Sequence, residues 1–210
     1  VTFTMDEGER YTFGEIEVET QISDLNTDYL EAVLPTQTGR LYVGSLIEDA
    51  TDSLTFAAAH TSRIALGTSV LVMSYRNPLL LAQSLTAVDV LSGGRLKLGM
   101  GQGWSKDEHD ATGTSMGDRA TRASEVIQVL KAIWTTDPVE FHGKFFQIPR
   151  SHIEPKPVQR PHLPIWLGGG HPNVLKRSVN MADGWMGAGA SSNSFFKERV
   201  VEIRRLLEEA

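Results

Sequence analysis

Residues 64–101, IALGTSVLVMSYRNPLLLAQSLTAVDVLSGGRLKLGMG, contain two apolar runs on either side of one helical pattern. The first run, Ile64–Val72, is predicted to be a buried strand because its apolar residues are continuous rather than alternating. Leu79–Leu91 has apolar residues at helical spacing, with a proline just before it and two glycines after it. Arg95–Gly101 is the second predicted strand. This order predicts a strand–helix–strand unit whose strands pair in parallel.

The same alternation continues to the end of the chain. Periodicity predicts helices over Asp118–Trp134, Val174–Ala182 and Ser194–Ala210, and strands over Pro164–Gly168 and Asp183–Gly187. A small hairpin is predicted over Phe141–Ile148, followed by a proline-rich extended connection from Pro149 to Pro164. Repeated units of this kind predict one domain with an α/β fold.

Composition excludes several classes of protein. The chain has 210 residues, of which 40% are apolar and 22% charged, so wholesale disorder is excluded. A net charge of −6 argues against nucleic-acid and anionic-membrane partners. The absence of cysteine excludes disulfides, thiolate metal sites and a cysteine nucleophile. No apolar run is long enough to span a membrane, and the first ten residues lack signal-peptide order, so a cytoplasmic location is expected.

Three glycine-rich turns follow predicted strands, where α/β folds bind ligands. Gly168–Gly170 precedes a helix, so its backbone and the helix N-terminus could hold a phosphate; the alternative is a tight turn without a ligand. Gly99–Gly103 could admit a flat ring, with Gln102 able to bond ring carbonyl and N–H groups; the alternative is close packing of the strand end. Gly187–Ser192 is the third turn.

His109 follows the second of these strands and is the general acid or base favoured by its position. The other histidines are predicted to be structural, except that His171 adjoins the glycine triplet and could pair with a phosphate. No spacing of histidines and carboxylates indicates a metal site, so none is predicted.

Five segments together resemble the bacterial luciferase-like monooxygenase family, and the resemblance runs from about Leu54 to Gly189. The segments are Arg76–Gln83, Asp89–Trp104, Glu154–Pro161, Pro164–Gly170 and Ala182–Trp185. The resemblance implies a TIM (β/α)₈ barrel, a homodimer, and reduced FMN or coenzyme F420 at the carboxyl ends of the strands. The cofactor-binding residues that it implies are Thr68, Ser69, Gly101, Gln102, Gly103, Gly169, Gly170, His171, Gly187 and Gly189.

The implied chemistry belongs mainly to the cofactor. The chain would be an oxidoreductase that either transfers a hydride or oxygenates a small organic substrate. Two alternatives stay open: a flavin-binding protein that does not catalyse, and a phosphate-binding barrel that acts on a sugar phosphate. The latter needs a lysine or a carboxylate pair at the strand ends, and neither is evident.

The chain also departs from the family. Residues 1–45 do not resemble the usual first strand and helix, and the seventh and eighth strands have no evident counterpart. A complete barrel takes about 250 residues. The expected domain, residues 1–210, is therefore a luciferase-like barrel that is incomplete within this sequence. Residues outside it, a partner subunit or the divergent first segment could cover the open edge.

Overall fold

A parallel β-sheet with helices packed on it forms most of the described structure. The computed structural model describes residues 2–6, 12–17, 47–187 and 192–210. The helices are α1 (Ile47–His60), α2 (Pro78–Ser92), α3 (Lys106–Ala111), α4 (Arg119–Thr135), α5 (Pro172–Met181) and α6 (Asn193–Glu209). The strands are β1 (Thr2–Asp6), β2 (Thr12–Glu17), β3 (Leu66–Gly67), β4 (Leu71–Val72), β5 (Leu96–Gly101), β6 (Val139–His142), β7 (Gln147–Ser151), β8 (Ile165–Gly168) and β9 (Gly184–Met186).

The sheet confirms the predicted α/β class. β3 and β4 both pair with one side of β5, β8 pairs with the other side, and β9 pairs with β8, always in parallel. Within the described ranges, this sheet has open edges at β3–β4 and at β9. The architecture is therefore that of an incomplete barrel.

The predicted strand Ile64–Val72 is interrupted, which corrects the expectation of one continuous strand. Leu66 pairs with Leu96, whereas Leu71 pairs with Met100, so one extra residue lies between β3 and β4. The extra residue makes a β-bulge, and Thr68 Oγ1 in the bulge donates to the carbonyl of Gly99 at 2.7 Å. Leu66 and Leu71 are both buried although they are five positions apart, a spacing that places residues of a regular strand on opposite faces, because the bulge resets the alternation of faces.

Local signals explain the predicted helix between these strands. The Asn77 side chain accepts a hydrogen bond from the N–H of Leu79 at 2.9 Å, and Pro78 occupies the first turn. Gly93 ends the helix in the left-handed conformation with φ +66°. One face of α2 packs in the core through Leu81, Leu85 and Val88. The prediction for Leu79–Leu91 is confirmed.

Two charged residues connect distant segments. Asp89, fully buried in α2, accepts hydrogen bonds from the backbone N–H groups of Val158 and Gln159 at 2.8 and 3.1 Å. The guanidinium of Arg95 donates to the carbonyls of Ala58 and Thr61 at the end of α1. Asp89 therefore joins α2 to the proline-rich connection, and Arg95 joins the start of β5 to the end of α1.

Two antiparallel hairpins accompany the parallel sheet. β6 pairs with β7, as predicted for Phe141–Ile148, although each strand extends further than expected. β1 pairs with β2, and β2 ends at Glu17. Among the helices that the structure describes, none has the length and apolar character needed to cross a membrane.

Candidate functional site

The parallel pairing brings two predicted glycine segments together at the carboxyl ends of the strands. Val72 at the end of β4 pairs with Gly101 at the end of β5, and Gly168 at the end of β8 pairs with Met186 in β9. The loops that follow these strands therefore leave the same edge of the sheet, which is where ligands of α/β folds bind.

Val70 covers the glycines at this edge. A Cβ atom on Gly101 would lie 2.7 Å from Val70 Cγ2, and one on Gly168 would lie 2.8 Å from Val70 Cγ1. The two glycines therefore make room for the Val70 side chain, which is still 39% exposed. It forms an apolar surface at the strand ends that the sequence analysis missed, since Val70 fell inside a strand predicted to be buried.

Gln102 is held by a residue from a distant helix. Arg177 in α5 places Nη1 3.3 Å from Gln102 Oε1 and Nε 2.7 Å from Ser124 Oγ in α4. A guanidinium only donates hydrogen bonds, so the amide must present its oxygen to Arg177 and keep its NH₂ group for another partner. Gly101, Gln102, Gly168 and Arg177 also line one small cavity. Sequence reasoning found Gln102 and missed Arg177.

His109 is fully buried in α3, and its contacts are structural. Its Nδ1 lies 2.8 Å from Thr114 Oγ1, and its ring meets the edge of Tyr75 at a centroid distance of 4.8 Å. Burial, followed by the nearby charge of Arg119, lowers the pKa of His109 below its ordinary value. Burial and the proximity of Glu108 raise the pKa of Tyr75. The acid–base role of His109 stays a prediction, and this environment favours a neutral, packed imidazole.

Gly103 is tightly enclosed beside this histidine. It has φ +80°, and a Cβ on it would lie 2.7 Å from Tyr75 Oη and 2.9 Å from His109 Nε2. Trp104, the next residue, is 76% exposed. Gly103 is therefore tightly packed while the side chain of its neighbour Trp104 is exposed. Trp104 was not among the predicted site residues.

Around the glycine triplet, the first turn of α5 is already capped. His171 Nδ1 accepts from the N–H of Asn173 at 3.2 Å, and the His171 carbonyl accepts from the N–H of Val174 at 2.8 Å. Among the described residues, no hydrogen bond engages the N–H group of Gly170. Backbone donors for an anion therefore lie in the turn itself rather than in the helix.

Two aromatic residues of α6 cover this turn and the one after β9. A Cβ on Gly170 would lie 2.5 Å from the Phe195 ring, and one on Gly187 would lie 2.6 Å from the Phe196 ring. Trp185 stacks on Phe196 at 5.4 Å and donates its Nε1–H to the carbonyl of Gly169 at 2.7 Å. The glycines let these rings pack closely, which is a structural reason for their presence.

The remaining predicted residues lie at or near the same edge. Thr68, in the bulge, is half-buried, and Ser69 beside it is exposed. Gly189 lies outside the described residues. A larger cavity of about 430 Å³ lies elsewhere, between the start of α2 and the β6–β7 hairpin, and none of the predicted site residues lines it.

The strand ends therefore combine an apolar surface, an oriented amide donor, a half-buried cation and the unbonded backbone N–H of Gly170. Val70 suits the face of a flat ring, Gln102 suits a ring carbonyl, and Gly169 with Gly170 suits a phosphate. These residues fit a flat, phosphate-bearing molecule of the flavin or deazaflavin type.

Comparisons with known proteins identify the family of the chain. The model of the family described as luciferase-like monooxygenase matches residues 29–210. The chain is 34% identical over 131 residues to an FMNH₂-dependent dimethylsulfone monooxygenase of Pseudomonas putida, covering 61% of this chain and 36% of that enzyme. It is 29% identical over 148 residues to an F420-dependent glucose-6-phosphate dehydrogenase of Amycolatopsis mediterranei, covering 69% of this chain and 44% of that enzyme.

The fold also matches a solved structure. The monooxygenase RslO1 from Streptomyces bottropensis superposes with a TM-score of 0.72 at 25% identity, over 78% of this chain and 50% of that one. The chain spans about half the length, or less, of the relatives that it matches. The family match begins at residue 29, after the β1–β2 hairpin, so it includes residues 29–45 of the segment that was expected to diverge.

Proposed function

The chain belongs to the luciferase-like monooxygenase family, and on that premise we propose that it binds reduced FMN or coenzyme F420 and acts as an oxidoreductase. The substrate would be a small organic molecule. The observation that carries this proposal is the group formed at the strand ends by Val70, Gln102 and Arg177. One relative is named for FMNH₂ and another for F420, so either coenzyme is consistent with the family.

The residues of this chain would bind and orient the ring. Val70 offers an apolar face that excludes water from one side, and the amide of Gln102 donates in a direction fixed by Arg177. When bound, the reduced ring supplies a hydride or, in the flavin case, electrons for reaction with oxygen. The N–H groups of Gly169 and Gly170 would hold the phosphate, with His171 beside them.

Titration of the protein with FMN and with coenzyme F420, followed by fluorescence, tests the proposal. We expect one of them to bind, and binding of neither would reject the function. Gly169→Val should weaken binding at least tenfold, because Gly169 has φ +120° and a branched side chain there distorts the turn that presents the N–H groups. Gly117→Val, at an exposed loop position, is the matched control and should bind like the wild type.

A second candidate is a flavin-binding protein that does not catalyse. Reducing the bound cofactor and adding oxygen or candidate acceptors separates the two functions. Reoxidation that is faster with an acceptor than without one supports the enzyme, and unchanged reoxidation supports the binding protein.

The homodimer and the cytoplasmic location belong to the same proposal. The outward face of α2 supports the homodimer: the helix has one charged residue, Asp89, and that residue is buried. Faces without charge are typical of the centre of subunit interfaces. Cell fractionation of the native host tests the location.

A further inference from the structure

The short helix α3 is attached to the strand ends through one fully buried side chain. Of the six residues in α3, only His109 is fully buried, and the others are half-buried or exposed. None of the six belongs to the apolar core. A helix of this length is not stable by itself, so its place depends on contacts with the rest of the protein. The attachment of α3 therefore depends mainly on the surroundings of one imidazole.

These surroundings suit the neutral form of the ring. His109 Nδ1 lies 2.8 Å from Thr114 Oγ1, whereas Nε2 is buried and has no hydrogen bond to any of the described residues. The backbone of Gly103 encloses Nε2, because a Cβ there would lie 2.9 Å from Nε2 and 2.7 Å from Tyr75 Oη. A second proton on the ring would therefore enter a space that is closed to bulk water, where a charge is unfavourable.

The charged groups around the ring do not balance this cost. Burial, followed by the charge of Arg119 at the start of α4, disfavours the imidazolium and lowers the pKa of His109. The carboxylates of Glu108 and Asp110, in α3 itself, act in the opposite direction and are outweighed. The charged form of His109 is therefore less favourable inside the fold than in water.

The neutral groups that face the ring offer little compensation. Burial and the proximity of Glu108 raise the pKa of Tyr75, so its hydroxyl brings no negative charge to the ring. The backbone of Gln102 favours the charged ring, but its carbonyl already accepts a hydrogen bond from Ser74 Oγ at 3.1 Å. A protonated ring gains most by leaving this position.

We propose that His109 is a pH-sensitive anchor, whose protonation releases the segment Gly103–Thr114 from the strand ends while the rest of the fold stays intact. This inference goes beyond the proposed function and holds whether or not a cofactor binds. In the released state the imidazole reaches water, where a histidine titrates near pH 6.5. The attachment that neutral His109 provides is complete above about pH 6.5 and is lost as the pH falls below that value.

Hydrogen–deuterium exchange at pH 7.5 and pH 5.5, measured by mass spectrometry, tests the proposal. Each observed rate is divided by the intrinsic rate of the unfolded peptide at the same pH, so the ratio reports opening alone. At pH 5.5 a histidine in water is about ten parts protonated to one part neutral, so opening of residues 103–114 should rise by up to about tenfold. Peptides from α2 and β5 should keep their protection.

Three variants separate a pH switch from a merely structural role. His109→Asn keeps a polar group beside Thr114 but does not titrate, so residues 103–114 should lose their response to acid whatever their exchange at pH 7.5. Arg119→Met removes a charge that opposes the imidazolium, so its response to acid should be smaller than that of the wild type. His152→Asn is the matched control, because His152 is exposed, and it should respond like the wild type.

The inference fails if acid changes the exchange of residues 103–114 no more than that of α2 and β5, or if the whole protein opens together. It also fails if His109→Asn responds to acid as the wild type does. Should His109→Asn not fold, equal responses of the wild type and Arg119→Met would still contradict it. Neither result depends on cofactor binding, so the proposed function is tested separately.

Discussion

Gly103 shows how one residue can link the strand ends to the buried histidine. Its positive φ and the crowding by Tyr75 Oη and His109 Nε2 both oppose any side chain. A left-handed conformation costs a residue with a Cβ about 1–2 kcal/mol, and overpacking adds about 1–3 kcal/mol.

Gly103→Ala should therefore lower the free energy of unfolding by about 3 kcal/mol, measured by urea denaturation. Gly113→Ala is the control, because Gly113 has φ +66° with open space around it and should lose only about 1 kcal/mol. Equal losses in the two variants would show that the contacts of Gly103 contribute nothing.

His109 should make stability depend on pH. Burial lowers its pKa in the folded state, while the unfolded chain titrates near pH 6.5. The stability that neutral His109 contributes is complete above about pH 6.5 and is lost as the pH falls below that value. Between about pH 7 and pH 5, the free energy of unfolding of the wild type should fall further than that of His109→Asn, measured by urea denaturation at each pH. The exposed His60→Asn should retain the wild-type profile, and identical profiles for all three proteins would contradict the burial argument.

At the scale of elements, the β6–β7 hairpin depends on one carboxylate from α4. Glu125 is 7% exposed, and its oxygens accept the backbone N–H groups of Lys144, Phe145 and Phe146 at 2.7–3.0 Å. Because three N–H groups donate to this one carboxylate, a side chain that itself carries a hydrogen-bond donor at this position would face other donors and lose some of these bonds.

Glu125→Gln replaces one oxygen with an NH₂ group that opposes these N–H groups. We expect a loss of about 2–3 kcal/mol in the free energy of unfolding and faster hydrogen exchange at residues 144–146. Glu140→Gln, exposed on β6, should change neither quantity. Unchanged exchange in Glu125→Gln would show that water replaces the carboxylate at no cost.

At the scale of the whole molecule, the proposed homodimer predicts a particle of twice 23.1 kDa. Leu80 and Leu91 lie on the uncharged outward face of α2 and are 64% and 59% exposed. The double variant Leu80→Glu, Leu91→Glu should be a monomer in sedimentation equilibrium, because buried carboxylates oppose association. Val201→Glu, at an exposed apolar position on α6, should remain dimeric. A wild-type monomer rejects this arrangement.

Elements whose signals are local could be predicted from the sequence, and contacts between distant segments could not. Asn77, Pro78 and Gly93 mark the ends of α2 within the helix itself. Arg177, in contrast, meets Gln102 across 75 residues, and nothing in its own helix distinguishes it from Lys176. The position of Val70 depends on the register of β4, β5 and β8, which a short stretch of sequence does not reveal. Sequence periodicity therefore predicts the helices and strands of the site, but not the contacts that folding creates between residues far apart in the chain.

The bulge between β3 and β4 makes the length of residues 67–71 matter more than their composition. Exchanging one side chain there leaves the bulge in place, whereas deleting the extra residue removes the bulge and leaves Leu66 and Leu71 four positions apart, still on the core face of a regular strand. A deletion therefore changes the path of the backbone through residues 67–70, the segment that places Val70 over the glycines of the neighbouring strands. The number of residues in this segment, rather than the identity of each side chain, therefore sets where Val70 meets Gly101 and Gly168.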